Sequence, residues 1–333
     1  MAHRSRPGPK SSSHGQSPPE SVVSRRARGL AAHGGALLLA VVGCASGGTT
    51  GASSPERRPA LPADIVAKSA LPLYALQGGE KLTEPALWEA MASSHVICFG
   101  EQHDLPEHHY AQQRALAELA TRSAATQRTL GVGFEMFQKP YQAALTSFVA
   151  GSTPEEQFLI DSDYEKRWGF DFSLYRPLLQ TVREFSLEAL ALNTPRELTR
   201  KVGKSGLTGL DASERNQLPE LKLDDRDHRA YFDDAMADHP SVSGGPDMDD
   251  MYAVQVIWDE TMADTASEWL SHAGDSAQLI IFAGSGHCHK TAIPARITRR
   301  LKIPVLSVAP VLASDLSSFD ARKRYDWLIV LDD

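Results

Sequence analysis

Four apolar runs in this sequence end in residues able to exchange protons or hold a metal. Val96–Phe99 leads into Gly100-Glu101-Gln102-His103-Asp104 and Leu130–Phe134 into Glu135. Ala189–Leu192 leads into Asn193, and Leu279–Ala283 into Gly284-Ser285-Gly286-His287-Cys288-His289. Two carboxylates and two imidazoles, once together, can do either of two things. His103, Glu135 and His287 can ligate a divalent metal, or the same three with Glu101 can act as acid and base around a polarised carbonyl. Gly100, Gly284 and Gly286 would let backbone and ligand approach closely.

The elements that must position these residues follow from the runs themselves. They are continuous rather than alternating, as expected of strands covered on both faces. Val305–Val308 and Trp327–Leu331 are two more such runs. Helical patterns lie between them, notably Glu107–Arg122 behind Pro106, and Met251–Ala273 with Val254, Ile257, Trp258, Met262 and Ala266 on its apolar face. Alternating strands and helices predict an α/β fold, a mainly parallel sheet flanked by helices. In such a sheet the strand ends share one edge, so Glu101, His103, Glu135, Asn193 and His287 are expected to converge there. The charged stretch Arg196–Asp250 interrupts the alternation and is predicted as a small helical subdomain, with a loop over Ser241–Asp250.

Competing roles are open for several residues. Glu101 or Asp104 could cap the helix begun at Pro106. His108 and His109 face different ways, so at most one is expected to point at the strand edge; His109 and Gln113 share a face that reads as solvated. Cys98 is expected in the core, and Cys288 is poorly placed to serve His287 as a nucleophile. Asp259 and Glu260 suit either the site or a solvated helix face.

The chain of 333 residues is long enough for a sizeable core, and its three cysteines imply no disulfide framework. Residues 1–43 carry six basic side chains and one acidic one. Without them the formal charge moves from −8 to −13, which argues against nucleic acid as a partner. Within that segment Arg25, Arg26 and Arg28 precede an apolar run of about a dozen residues, Leu30 to Val42, too short to span a bilayer. This is the pattern of a signal peptide. It ends in Val41-Val42-Gly43-Cys44, the spacing of a lipobox, so Cys44 is expected to carry a lipid that anchors the chain at the cell envelope. Ala45 after it favours the outer membrane if the host is Gram-negative. Residues 44–64 then form a flexible Ser/Gly/Thr/Pro-rich tether, and residues 65–333 the folded domain.

Four blocks of this sequence resemble the ChaN family of haem-binding lipoproteins, in the superfamily that includes Tiki proteins, TraB and erythromycin esterase. They are Phe99-Gly100-Glu101-Gln102-His103-Asp104, Gly133-Phe134-Glu135-Met136-Phe137, Gln255 to Ala263, and Ala283-Gly284-Ser285-Gly286-His287. Ala191-Leu192-Asn193 with Pro195-Arg196-Glu197, and Ile293-Pro294-Ala295-Arg296, add to them; the likeness spans roughly residues 65–300. The resemblance implies an α/β domain with a smaller helical part, and a membrane-anchored lipoprotein that binds haem in iron acquisition. A homodimer is compatible with it. Superfamily relatives use two Gly-x-x-His segments and a glutamate, which correspond to Gly100/His103, Gly284/His287 and Glu135. The alternative implied activity is therefore a metal-dependent or acid–base hydrolase, a peptidase or esterase. Haem would be non-covalent, since no Cys-x-x-Cys-His occurs. Its ligand is open among Tyr110, Tyr141, Tyr164 and Tyr175, with Arg114, Arg167 or Arg176 near enough in sequence to meet the propionates.

Overall fold

The computed structural model describes residues 74–237, 247–317 and 321–332. The predicted signal peptide, Cys44 and the tether lie outside the described residues, as does most of the predicted loop over 241–250.

The apolar runs form the sheet. In chain order its strands are β1 (Tyr74–Gln77), β2 (Glu80–Leu82), β3 (Val96–Phe99), β4 (Leu130–Gln138), β5 (Glu188–Asn193), β6 (Gln278–Phe282), β7 (Val305–Leu312) and β8 (Trp327–Leu331). They lie side by side in the order β2-β1-β8-β7-β3-β6-β4-β5. Pairing is parallel from β8 to β5, and only the β1–β2 hairpin and its junction with β8 are antiparallel. The hairpin is absent from the sequence reading, because its strands are short and β2 is largely exposed. Gly78 and Gly79, both at positive φ, turn it.

Continuous apolar strands are explained by two cores. Along β3, Ile97 and Phe99 enter one cluster with Ile280, Phe282, Phe134 and Leu116. Val96 and Cys98 enter the other, with Leu279, Ile281, Met262 and Ile297. Each such fully buried side chain contributes about 1.5–3 kcal/mol. The helix Pro106–Thr126 packs on the first face and the helix Met248–Ala273 contributes to the second. This last helix begins at Met248, so the end of the predicted loop is helical; Asp247 caps it by accepting from the Asp249 N–H.

The stretch after β5 is helical in part, with residues 216–225 outside any helix or strand. Arg196–Ser205, Ala212–Arg215 and Arg226–Met236 are its α-helices among the described residues. Leu198, Val202 and Leu210 pack on Ala253, Val254 and Ile257 of the long helix, forming an apolar cluster apart from the two sheet cores.

The cysteines overturn one expectation. Cys98 and Cys288 are joined in a disulfide, with Cα atoms 5.2 Å apart. Cys98 is buried in its strand as expected, but the short helix Ser285–Cys288 folds back behind β3 and lays Cys288 in the same apolar cluster. No periodicity along the sequence carries that return. It also removes Cys288 as a nucleophile.

Candidate functional site

Strand register assembles the site. Phe99 pairs with Phe282, and Phe282 with Phe134, so the C-terminal ends of β3 and β6 lie level with the middle of β4. The residues that follow, Glu101, Gly284 and Glu135, are thereby neighbours. The Gly284 N–H donates to Glu135 Oε2 at 2.7 Å, which ties the loop after β6 to β4. A Cβ on Gly284 would stand 2.9 Å from His103 Cε1 and 3.6 Å from Glu135 Oε2. Only glycine leaves room on this face of the loop for the two groups. Gly100 has the same role one strand over, where a Cβ would meet Ser285 Oγ at 2.8 Å.

Two imidazole–carboxylate dyads meet at this loop. In the first, His103 Nδ1 lies 2.7 Å from Glu101 Oε1. The Glu101 carboxylate is fully buried and also accepts from Gln112 Nε2 and the Tyr175 hydroxyl, both at 2.8 Å, with His109 Nδ1 at 3.5 Å. Burial alone would raise its pKa; the charge on His109, then the hydrogen bond and charge of His103, outweigh this and bring it down to about 2. Burial likewise lowers His103, but its bond to Glu101, with the Glu101 and Glu135 charges, raises it overall above the ordinary 6.5. The His103 ring is held by the edges and faces of Trp168 and Phe170, with centroids 4.7 and 4.9 Å away.

In the second dyad His287 Nδ1 lies 2.6 Å from Asp259 Oδ1, and His287 Nε2 lies 3.2 Å from Glu135 Oε1. A carboxylate on Nδ1 fixes the ring orientation and turns Nε2 toward the working centre. Burial opposes charge on His287, but the Glu135 and Asp259 carboxylates prevail and push its pKa up to about 10. Glu135 is lowered against the effect of burial, chiefly by the charge and hydrogen bond of His287. Asp259 is lowered for the same reason, with His228 bonded to its other oxygen at 2.8 Å. His228 Nδ1 in turn lies 3.1 Å from the Tyr252 hydroxyl. At neutral pH His287 is therefore held as a buried imidazolium between the Asp259 and Glu135 carboxylates.

The sequence-predicted set Glu101, His103, Glu135 and His287 is brought together. Asn193 stands nearby but binds backbone, donating from Nδ2 to the Glu135 carbonyl at 3.1 Å. Among the described residues no group of three or more His, Cys, Asp or Glu is disposed to hold a metal ion. The coordinating atoms of His103, Glu135 and His287 are turned to one another, to Glu101 and Asp259, and to the Gly284 N–H.

Other roles are settled by contact. Neither Glu101 nor Asp104 caps the following helix, whose N-cap is Leu105 without a side-chain bond. His108 and His109 are both buried, against the solvated reading: His108 Nδ1 accepts from the Gln102 N–H at 2.9 Å, and His109 Nε2 meets the His103 carbonyl at 3.0 Å. They fasten the loop that carries the first dyad. Asp259 belongs to the site, whereas Glu260 ties the long helix to Arg296, Arg299 and Arg300. His228, Tyr252, Gln112 and Tyr175 went unread as site partners, since nothing in their spacing sets them apart.

A parallel α/β sheet that gathers two Gly-x-x-His segments and a glutamate at its C-terminal edge places this protein in the Tiki superfamily. The haem-binding uptake family ChaN of that superfamily matches residues 87–297, more than half of the chain, and the chain belongs to it. The fold is that of ChaN of Campylobacter jejuni, a structure described as showing cofacial haem binding, at 18% identity and a TM-score of 0.60, covering 78% of this chain and 97% of that one. An erythromycin esterase is a weaker neighbour, 11% identical with a TM-score of 0.40, covering 69% and 73%. Among curated proteins, RETICULATA-RELATED 5, a chloroplastic protein of Arabidopsis thaliana, is 24% identical over 239 residues, 68% of this chain. The chain spans about a third (32%) of that relative's length.

A haem needs an axial ligand on an open face and cations for its propionates. Tyr175 does not meet this, since its hydroxyl is buried and donates to Glu101, and burial holds its pKa well above 10. Arg176 is clamped to Glu155 by two bonds of 2.7 Å. Tyr164 is buried between Phe137 and Phe172. Tyr110 and Tyr141 are half-buried. The Arg167 guanidinium lies 4.7 Å over the Tyr141 ring and donates to Gln138, and it is also paired with Glu197 at 3.0 Å and Asp163 at 3.3 Å. Arg196 follows β5, its N–H donating to the same Gln138 oxygen and its guanidinium to the Lys166 carbonyl.

Proposed function

We propose that this protein is an envelope-anchored lipoprotein that binds haem non-covalently, in iron acquisition or haem handling, with Tyr141 or Tyr110 as axial ligand. The observation that carries the reading is the family match over residues 87–297. Half-buried Tyr141 beside Arg167 supports it at the level of residues. The Cys98–Cys288 disulfide supports the envelope, because such bonds persist in oxidising compartments. Haemin titrated into the full chain is expected to give a saturable Soret shift, abolished by Tyr141→Phe or Tyr110→Phe; absence of a shift sinks the haem reading. A labelled fatty acid is expected to enter the wild-type chain in cells and to be lost in Cys44→Ala.

A second reading rests on the two dyads. His287, a buried proton donor oriented by Asp259, and the carboxylates of Glu135 and Glu101 have the parts of an acid–base hydrolase acting on an ester or peptide. Turnover of a chromogenic ester, lost in His287→Gln and in Glu135→Gln, would support it. Turnover that survives both changes removes it.

A further inference from the structure

A cavity of about 350 Å³ opens between the helix Arg226–Met236 and the segment that follows His287, a volume typical of small-molecule sites. Tyr231 and Asp234 line the helix wall; His289 and Lys290 line the opposite one, with Lys323 and Arg324 completing the rim. Its charged lining is mixed, with Lys290, Lys323 and Arg324 set against Asp227 and Asp234. Lys290 pairs with Asp326 at 3.1 Å and Arg324 with Asp234 at 2.5 Å. Such partly exposed pairs contribute little and are easily redirected to a ligand.

The inner wall is built rather than incidental. His289 is buried and its ring is stacked on Tyr231, centroids 3.6 Å apart. Its Nδ1 meets the Thr291 hydroxyl at 3.0 Å, while Nε2, buried, has no partner. Burial, with the nearby charges of His228 and Arg296, keeps the ring neutral. Behind Thr291, Arg296 donates from Nη1 to the Thr291 and Ala292 carbonyls, and its buried Nη2 also has no partner. Buried polar atoms left unpaired are uncommon and call for an explanation. On its other side the His289 ring lies parallel to His228, centroids 5.7 Å apart, and His228 binds Asp259 of the second dyad.

We propose that this cavity is a second binding site, separate from the dyads, for a small ligand bearing an oxyanion, a phosphoryl or a carboxylate group. Lys290 and Arg324 meet the anion, and His289 forms the inner wall. The site adjoins the dyads through one stack of rings, so an occupant would touch the shell that orients His287.

The test uses the full chain with histidine-selective NMR, titrating inorganic phosphate and, separately, succinate. A saturable shift of the His289 ring resonances is expected with at least one probe. Phosphate alone assigns the site to phosphoryl groups, succinate alone to carboxylates. Lys290→Glu, at a partly exposed position, is expected to weaken binding at least tenfold, and Lys166→Glu, a far more exposed lysine elsewhere, to leave it unchanged. The proposal is overturned if neither probe saturates, if Lys290→Glu binds as the wild type does, or if both variants weaken binding equally.

Discussion

The two dyads use the same chemistry but are built differently. Glu101 and His103 sit two residues apart on one loop, and that loop is fastened by His108 and His109 from the helix that follows it. Asp259, His287 and His228 come from three separate segments and meet only in the folded chain. Both carboxylates are fully buried, yet the His103 side chain is 16% exposed and that of His287 only 6%. The first dyad is thus a local device with access to solvent. The second is a tertiary clamp in a drier place, where pairing is worth more and losing a partner costs more.

That contrast predicts unequal effects. Asp259→Ala leaves His287 and His228 buried without their carboxylate and is expected to cost about 3–5 kcal/mol. His103→Ala leaves Glu101 with Gln112 and Tyr175 and is expected to cost about 1–3 kcal/mol. Urea unfolding of the full chain measures both, and equal losses would break the comparison.

Each dyad joins a depressed carboxylate to a raised imidazole, so stability should fall at both ends of the pH scale. Glu101 is held near 2, below its ordinary 4.5, so its contribution is complete above 4.5 and fades as pH falls toward 2. His287 is raised from 6.5 to about 10, so its contribution is complete below 6.5 and is lost as pH climbs through 10. Stability measured against pH should show both limbs. His287→Gln should flatten much of the alkaline limb and also weaken the acid one, because His287 is the chief cause of the depression of Glu135 and Asp259. Glu101→Gln should reduce the acid limb without abolishing it, since Glu135 and Asp259 are depressed too.

A smaller change sharpens the boundary between the two. Gly284→Ala sets a methyl group against His103 Cε1 and is expected to cost about 1–3 kcal/mol through crowding. The His103 ring resonances should move while those of His228 stay in place. Movement of both would mean that the dyads are one mechanical unit.

The same contrast explains what the sequence could say. Strand ends followed at once by Glu101, Glu135 and His287 are legible, because parallel register maps chain position onto one edge. β3 and β8 are found with the bounds expected, and the long helices differ only by a few residues at their ends. His228 and Tyr252 are not legible, since a helix in a polar stretch presents many such residues and only docking selects one. Tyr175 looked like a free ligand for lack of any sign that its hydroxyl would reach Glu101. The pairing of Cys98 with Cys288 was hidden for a like reason: it depends on how a four-residue helix turns back after β6.

That disulfide bears on a problem of choice during maturation. The chain has three thiols, hence three ways to form a single intramolecular bond, and only one of them is the bond seen here. If Cys44 is acylated before oxidation, as the proposed anchor requires, both wrong pairings disappear and the remaining two thiols can only find each other. The lipid would then act as a protecting group for the fold, and unacylated Cys44 would be the main source of scrambled chains.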